Sequence, residues 1–197
     1  MKYIAIPLIA ILLTFSCKQG PKESDVVEAA QPNYAEIGMM YAQETQKVLG
    51  KNLKGTIQNK GVAAAVVFCN ERAYPLTDSM ATQYQANIKR VSDKTRNPEN
   101  KANAVELEHI NTFKRQIAAG DSIKPIVQEK DGQVHFYYPI ITNALCLNCH
   151  GTPNQNITPE VVAHLSELYP EDQATAYGVD EVRGIWSIVF DASDASK

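Results

Sequence analysis

The chain lacks several features that would settle its class at once. None of its 10 glycines falls into a G-x-G-x-x-G or G-x-x-x-x-G-K-[ST] loop, which removes the usual signature of nucleotide binding. No run of like charges stands out, and 19 basic residues stand against 22 acidic ones for a net charge of −3. Nothing therefore points to nucleic acid as a partner. No apolar run reaches the ~18 residues needed to cross the hydrocarbon of a bilayer. Of four cysteines, only two are closely spaced, so the second pair that would complete a structural zinc site is missing.

What is present begins at the N-terminus. Lys2 is followed by the apolar stretch Ile4 to Phe15 and then by Ser16-Cys17. A basic residue, a short apolar core and a small residue at its end are the three parts of a secretory signal. Residues 1–16 are therefore read as a signal peptide. Leu13-Thr14-Phe15-Ser16-Cys17 loosely resembles a lipobox, with Cys17 as the acylated N-terminus of a bacterial lipoprotein; the alternative is ordinary cleavage nearby with Cys17 incidental. Residues 17–33 are polar, carry Gly20, Pro21 and Pro32, and read as a flexible tether. About 180 residues then remain, enough for one domain with its own core. The expected boundaries are 34–192 for that domain and 193–197 for a C-terminal tail.

The sharpest motif is Cys146-Leu147-Asn148-Cys149-His150. C-x-x-C-H is the c-type haem attachment pattern, in which two thiols form thioethers and the adjacent imidazole becomes the proximal iron ligand. A zinc site, a structural disulfide and a thioredoxin-like pair are the alternatives. The last would follow a strand and open a helix within a βαβ unit. Export agrees with haem, because bacterial c-type haem is attached outside the cytoplasmic membrane.

With Cys17 acylated and Cys146 and Cys149 on haem, Cys69 is left over. It ends the apolar stretch Gly61 to Cys69, so it is either a buried small hydrophobe, the usual state of free cysteine, or the distal ligand to the iron. Competing sixth ligands are His109 on the polar face of a helix, where it should be solvated, His135 in an alternating segment, and His164 near the motif. Met39, Met40 and Met80 are further options, though methionine at helical spacing is more often core.

Periodicity outlines the rest. Tyr34 to Leu53 and Gly61 to Arg72 read as helices, with Tyr74 to Tyr84 extending the second or forming a shorter piece. Ala86 to Asp93 suggests a strand, and Val105 to Ala119 a helix stopped by Gly120. Ile123 to Glu129 and Val134 to Thr142 flank an Asp131-Gly132 hairpin signal. Thr158-Pro159 opens a helix to Leu168, with Thr as N-cap and Pro at the first position. Arg183 to Phe190 closes as a strand. The class is α+β: N-terminal helices, then a small antiparallel sheet with the motif loop inserted.

Four stretches carry a resemblance: Ala64 to Cys69, Arg90-Val91-Ser92-Asp93-Lys94-Thr95-Arg96-Asn97-Pro98-Glu99-Asn100, Cys146 to Gly151, and Leu168 to Ser187 with Arg183-Gly184. Together they resemble the Tll-type haem-c domain family, long known only as a domain of unknown function, over nearly all of Tyr34 to Phe190. The resemblance implies a PAS-like fold and one covalent haem c held by His150 and Cys69. The chain departs from the family pattern at Lys101-Ala102-Asn103-Ala104-Val105, where a proline and an aromatic residue are common, and at Ala176, where glycine is usual. Haem propionates need cationic donors, and Arg90, Arg96 and Arg183 are candidates, because arginine offers a planar bidentate fork; Lys89 and Lys94 are weaker ones.

These residues predict a redox or electron-transfer protein tethered at the periplasmic or cell-envelope membrane through its lipid, with an unknown redox partner. The alternative is a haem-based redox or gas sensor heard by a separate receptor. Enzymatic activity is not expected, because two axial ligands leave the iron no open position.

Overall fold

The computed structural model describes residues 32–191. The expected signal peptide, the acylated Cys17, nearly all of the tether and the tail lie outside the described residues. Among the described residues no helix is long and apolar enough to cross a membrane.

Helix α1 spans Tyr34–Tyr84, opened by Asn33, whose side chain accepts from the Glu36 amide at 3.3 Å. It is helical throughout except at Gly61, where φ is 85° and ψ 173°. That combination is essentially restricted to glycine. A straight helix would set Tyr41 and Tyr84 roughly 65 Å apart at 1.5 Å per residue, yet their rings stack at 4.1 Å with an interplanar angle of 10°. The chain therefore folds back at Gly61 into two antiparallel limbs. The second limb runs unbroken to Tyr84 through Pro75, where the sequence left a choice between one helix and two. Proline inside a helix costs about 3 kcal/mol. The burial of Ala73, Thr77 and Met80 around it opposes that cost.

Strands β1 (Asn87–Val91), β2 (Ile126–Lys130), β3 (Gln133–Ile141) and β4 (Val182–Asp191) form one antiparallel sheet in the order β1-β4-β3-β2. The β2–β3 hairpin turns through Asp131 and Gly132, both with positive φ, as the Asp-Gly signal predicts. Helix α2 (Ala104–Ala119) carries a capping box between Asn103 and Glu106 and ends on Gly120 in the left-handed region. The α+β expectation holds.

Side chains on both faces of the sheet are buried. Ile88, Val134, Phe136, Trp186, Ile188 and Phe190 pack with Ala42 and Met80 of α1. Val91, Tyr137 and Ile185 pack with Ile110 and Phe113 of α2 on the other side. This corrects one expectation. His109 is not solvated but 7% exposed, with Nε2 3.4 Å from Gln128 Oε1 and its ring 4.4 Å from Tyr137. Its helix is sandwiched against the sheet, so the face that reads as polar is partly an inner one.

A third apolar cluster joins Val66 of α1 to Ile157 and to Val161 and Leu165 of helix α4 (Pro159–Leu168), with Cys149 packed against it. It seats the C-x-x-C-H segment against the second limb of α1.

Candidate functional site

Cys146 leads into the one-turn helix α3 (Leu147–His150). Asn143 Oδ1 accepts from the Leu145 amide at 2.9 Å, and the His150 amide bonds the Cys146 carbonyl at 2.8 Å. In a helical turn, positions i, i+3 and i+4 share one face, so Cys146, Cys149 and His150 are presented together. Gly151 follows, and a Cβ there would lie 2.5 Å from Asn156 Cβ and 2.7 Å from the Leu147 carbonyl oxygen. The turn after the motif has no room for a side chain.

His150 is held from behind. Its Nδ1 lies 2.8 Å from the carbonyl oxygen of Ala174. A carbonyl can only accept, so Nδ1 carries the proton and Nε2 keeps its lone pair, the state a metal-ligating histidine requires. Arg183 Nε sits 3.3 Å from the same Nδ1; with the proton there, this is an approach of two donors and a source of positive potential. Burial, then Arg96 and Arg183, drive the His150 pKa well below 6.5, against the smaller pull of the Ala174 hydrogen bond.

The chain after the motif is clamped to it. The amides of Ala176 and Tyr177 bond the carbonyls of Gly151 and His150 at 2.8 and 2.9 Å. Arg96 donates to the Cys149 carbonyl at 2.5 Å and to the Ala174 carbonyl at 3.2 Å, and pairs with Asp172 at 3.1 Å. Arg183 NH1 donates to Ser92 Oγ at 2.8 Å and to the Lys94 carbonyl at 3.1 Å. Lys94 Nζ donates to the Thr175 carbonyl at 2.7 Å. Ala176 has φ 60°, which explains the family's usual glycine there: a left-handed backbone costs glycine nothing.

Cys69 lies on the second limb of α1. Burial pushes its thiol up, while Arg90 and Arg96 pull it down. Cys149 is pushed up to about 11 by burial, with Arg96 opposing and Cys69 and Cys146 adding to the rise. Cys69 and Cys149 thus feel the same Arg96 charge, and Cys69 acts on Cys149, although they are far apart in sequence. The remaining ligand candidates are placed elsewhere. His109 and His135 cluster with Tyr137, on the α2 side of the sheet. Met39 and Met80 belong to the α1-side core, Met40 is exposed, and His164 is half-buried on α4.

The alternatives to haem find little here. Cys69, Cys146 and Cys149 are all free thiols. Among the described residues no three His, Cys, Asp or Glu side chains converge as a cage for a metal ion. The sheet is antiparallel, so the βαβ context of a thioredoxin-like pair is missing. The residues present do fit a c-type haem: two thiols and an imidazole on one helical turn, an Nε2 left with its lone pair, and three largely buried arginines, of which Arg96 alone is paired with a carboxylate, that of Asp172. Sequence reasoning gave no role to Ser92, Asp172, Ala174 or Tyr177. Their only signal was membership of the two stretches flanking the motif.

A model of the Tll0287-like family matches residues 23–190. Among solved structures, the crystal structure of the cyanobacterial haem protein Tll0287 aligns with a TM-score of 0.61 at 22% identity, over 82% of this chain and 97% of that one. That likeness shows a shared fold. No curated protein matches the chain. The chain belongs to the Tll0287-like family.

Proposed function

We propose that this member of the Tll0287-like family carries one covalent haem c and moves single electrons at the bacterial cell envelope. In this reading Cys146 and Cys149 would form the thioethers, and His150 and Cys69 would hold the iron. The observation that carries it is the 2.8 Å contact between His150 Nδ1 and the Ala174 carbonyl, which leaves Nε2 to a metal within a C-x-x-C-H turn. The match to a cyanobacterial haem protein supports the same cofactor. Haem bound there supplies one-electron Fe(III)/Fe(II) chemistry.

The protein's own residues do the rest. Arg96, Asp172 and the Ala174 carbonyl hold the imidazole and the motif backbone still. The packing of Val66 against Ile157, Val161 and Leu165 forms an apolar wall on which Cys149 rests. A Cys69 thiolate donates strongly and favours the ferric state, which sets a low potential. With His150 and Cys69 both serving as ligands, no position is left to a substrate, and we assign no enzymatic activity. The signal-like N-terminus supports export, with Cys17 acylated and the domain tethered to a bilayer. The electron donor and acceptor are proteins or small carriers of the envelope.

A second reading, a redox or gas sensor acting through a separate partner, is favoured by the position of Cys69 on α1. In this second reading a change at Cys69 would pass across the α1 hairpin to its first limb, which begins at Tyr34.

Absorption and EPR spectra of the wild type and of Cys69→Ala, matured in a host that attaches haem c, test the assignment. The wild type should show low-spin ferric thiolate signals that the variant loses. Identical spectra would remove Cys69 as a ligand, and absence of covalent haem would remove the whole reading. Potentiometry separates the two roles: unchanged ligation on reduction favours electron transfer, and carbon monoxide binding to the reduced form alone favours sensing.

A further inference from the structure

Three arginines act on the cysteines and histidine of the candidate site, and they are not equivalent. Arg96 is occupied by Asp172 and two carbonyls, and Arg183 by Ser92 and the Lys94 carbonyl. Arg90 differs. It lies on β1, two residues from Ile88 and so on the same face of the strand, toward α1. The ion pairs among the described residues are Lys47–Glu44, Arg96–Asp172 and Lys114–Asp93; no carboxylate pairs with Arg90. Its guanidinium is desolvated by burial, and Cys69, Tyr74 and Tyr169 are the groups that act on it electrostatically. A buried cation that no carboxylate pairs with is unfavourable, so a fold that keeps one there is adapted to an anion.

Space for that anion adjoins it. Arg90 lines a groove of about 780 Å³ between the second limb of α1 and β1, with Tyr74, Lys89 and Asn100 beside it; Asp78 and Glu99 also line that groove, but neither is within ion-pair distance of Arg90. Tyr74 is oriented by its hydroxyl donating to Asn100 Oδ1 at 2.8 Å. Arg90 therefore both acts on Cys69 and lines a solvent-open groove. Its planar fork matches a carboxylate bidentately.

We propose that Arg90 is the carboxylate anchor of this site, the one arginine of the three whose guanidinium receives a carboxylate from a bound molecule. A carboxylate at it could come from two sources: a propionate of a haem held by the motif, or a small free carboxylic acid in the groove. The first source rests on the haem reading of the preceding section; the second does not.

The test uses the full chain with its attached haem as wild type, Arg90→Gln and Arg90→Lys. Resonance Raman spectroscopy reads the propionate bending band, and calorimetry reads binding of acetate and succinate. A band that moves in Arg90→Gln, and less in Arg90→Lys, with neither acid binding, identifies the propionate. Saturable binding of either acid to the wild type, weakened at least tenfold in Arg90→Gln with the band unmoved, identifies a free ligand. Arg90→Lys keeps the charge but loses the fork, so it guards against a variant that fails to fold. The proposal is overturned if the band is the same in all three proteins and the acids either do not bind or bind Arg90→Gln as well as the wild type. Should the wild type carry no haem, a pyridine haemochromogen assay shows that separately. The calorimetric arm then decides alone, and no binding overturns the anchor.

Discussion

The guanidinium of Arg96 donates to the main-chain carbonyl of Cys149 at 2.5 Å, across 53 residues of sequence. The same side chain bonds Ala174 and pairs with Asp172, so the stretch before the sheet crossing and the stretch after the motif meet on one planar group. Arg96 and Asp172 are only 12% and 10% exposed.

Removing one partner of such a buried pair strands the other. Arg96→Ala should destabilise the protein by about 3–5 kcal/mol and lower the yield of covalently attached haem. Arg96→Lys should recover part of the stability and little of the geometry, since an ammonium cannot bridge three acceptors in one plane. Urea unfolding with a haem assay checks both. A loss under about 0.5 kcal/mol, the range of ordinary surface changes, would show that the clamp is incidental.

Ala176 adopts φ 60°, where a Cβ crowds the following carbonyl at a cost of about 1–2 kcal/mol. Glycine relieves that crowding but gains freedom in the unfolded chain, so Ala176→Gly should stabilise by a net amount of up to about 1 kcal/mol. A rise in the unfolding midpoint at unchanged denaturant slope is the expected signature.

Gly61 makes the opposite case. At φ 85° and ψ 173° any L side chain is strained, and Gly61→Ala should cost about 1–3 kcal/mol, although open space surrounds the added methyl. Far-ultraviolet circular dichroism at the start of the melt should be unchanged while the midpoint falls, because the limbs stay helical and their reversal is what suffers.

The haem-free protein should lose stability on both sides of neutrality. His150 is held well below its ordinary 6.5, chiefly by burial. The unfolded chain therefore takes up the proton first, and stability falls as pH drops below 6.5. Cys149 is raised from 9.0 to about 11, again chiefly by burial. The unfolded chain releases that proton first, so stability is full below pH 9.0 and declines as pH rises through about 11. Iodoacetamide should label Cys149 slowly in the folded haem-free protein at pH 8 and much faster in urea. Equal rates in the two states would remove the burial argument.

Much of this was legible locally. The Asp131-Gly132 turn, the Gly120 stop, the Thr158-Pro159 start and the C-x-x-C-H turn each depend on residues within a few positions of one another. Glycine, proline and capping side chains act over that range through sterics and single hydrogen bonds. The resemblance carried by the Arg-Asn-Pro stretch and Cys69 extended this to the likeness of fold.

The sequence by itself determined the C-x-x-C-H turn, most element ends and the α+β class, because each is written in contiguous residues. Only the tertiary structure decided that α1 reverses at Gly61, that His109 is an inner residue, that Cys69 and Cys149 feel the same Arg96 charge, and that Arg96 and Arg183 are spent on the protein while Arg90 is not. Those outcomes depend on which surfaces pack together. A polar side chain such as His109 can look solvated in its own segment and still be enclosed by residues 19 and 28 positions away.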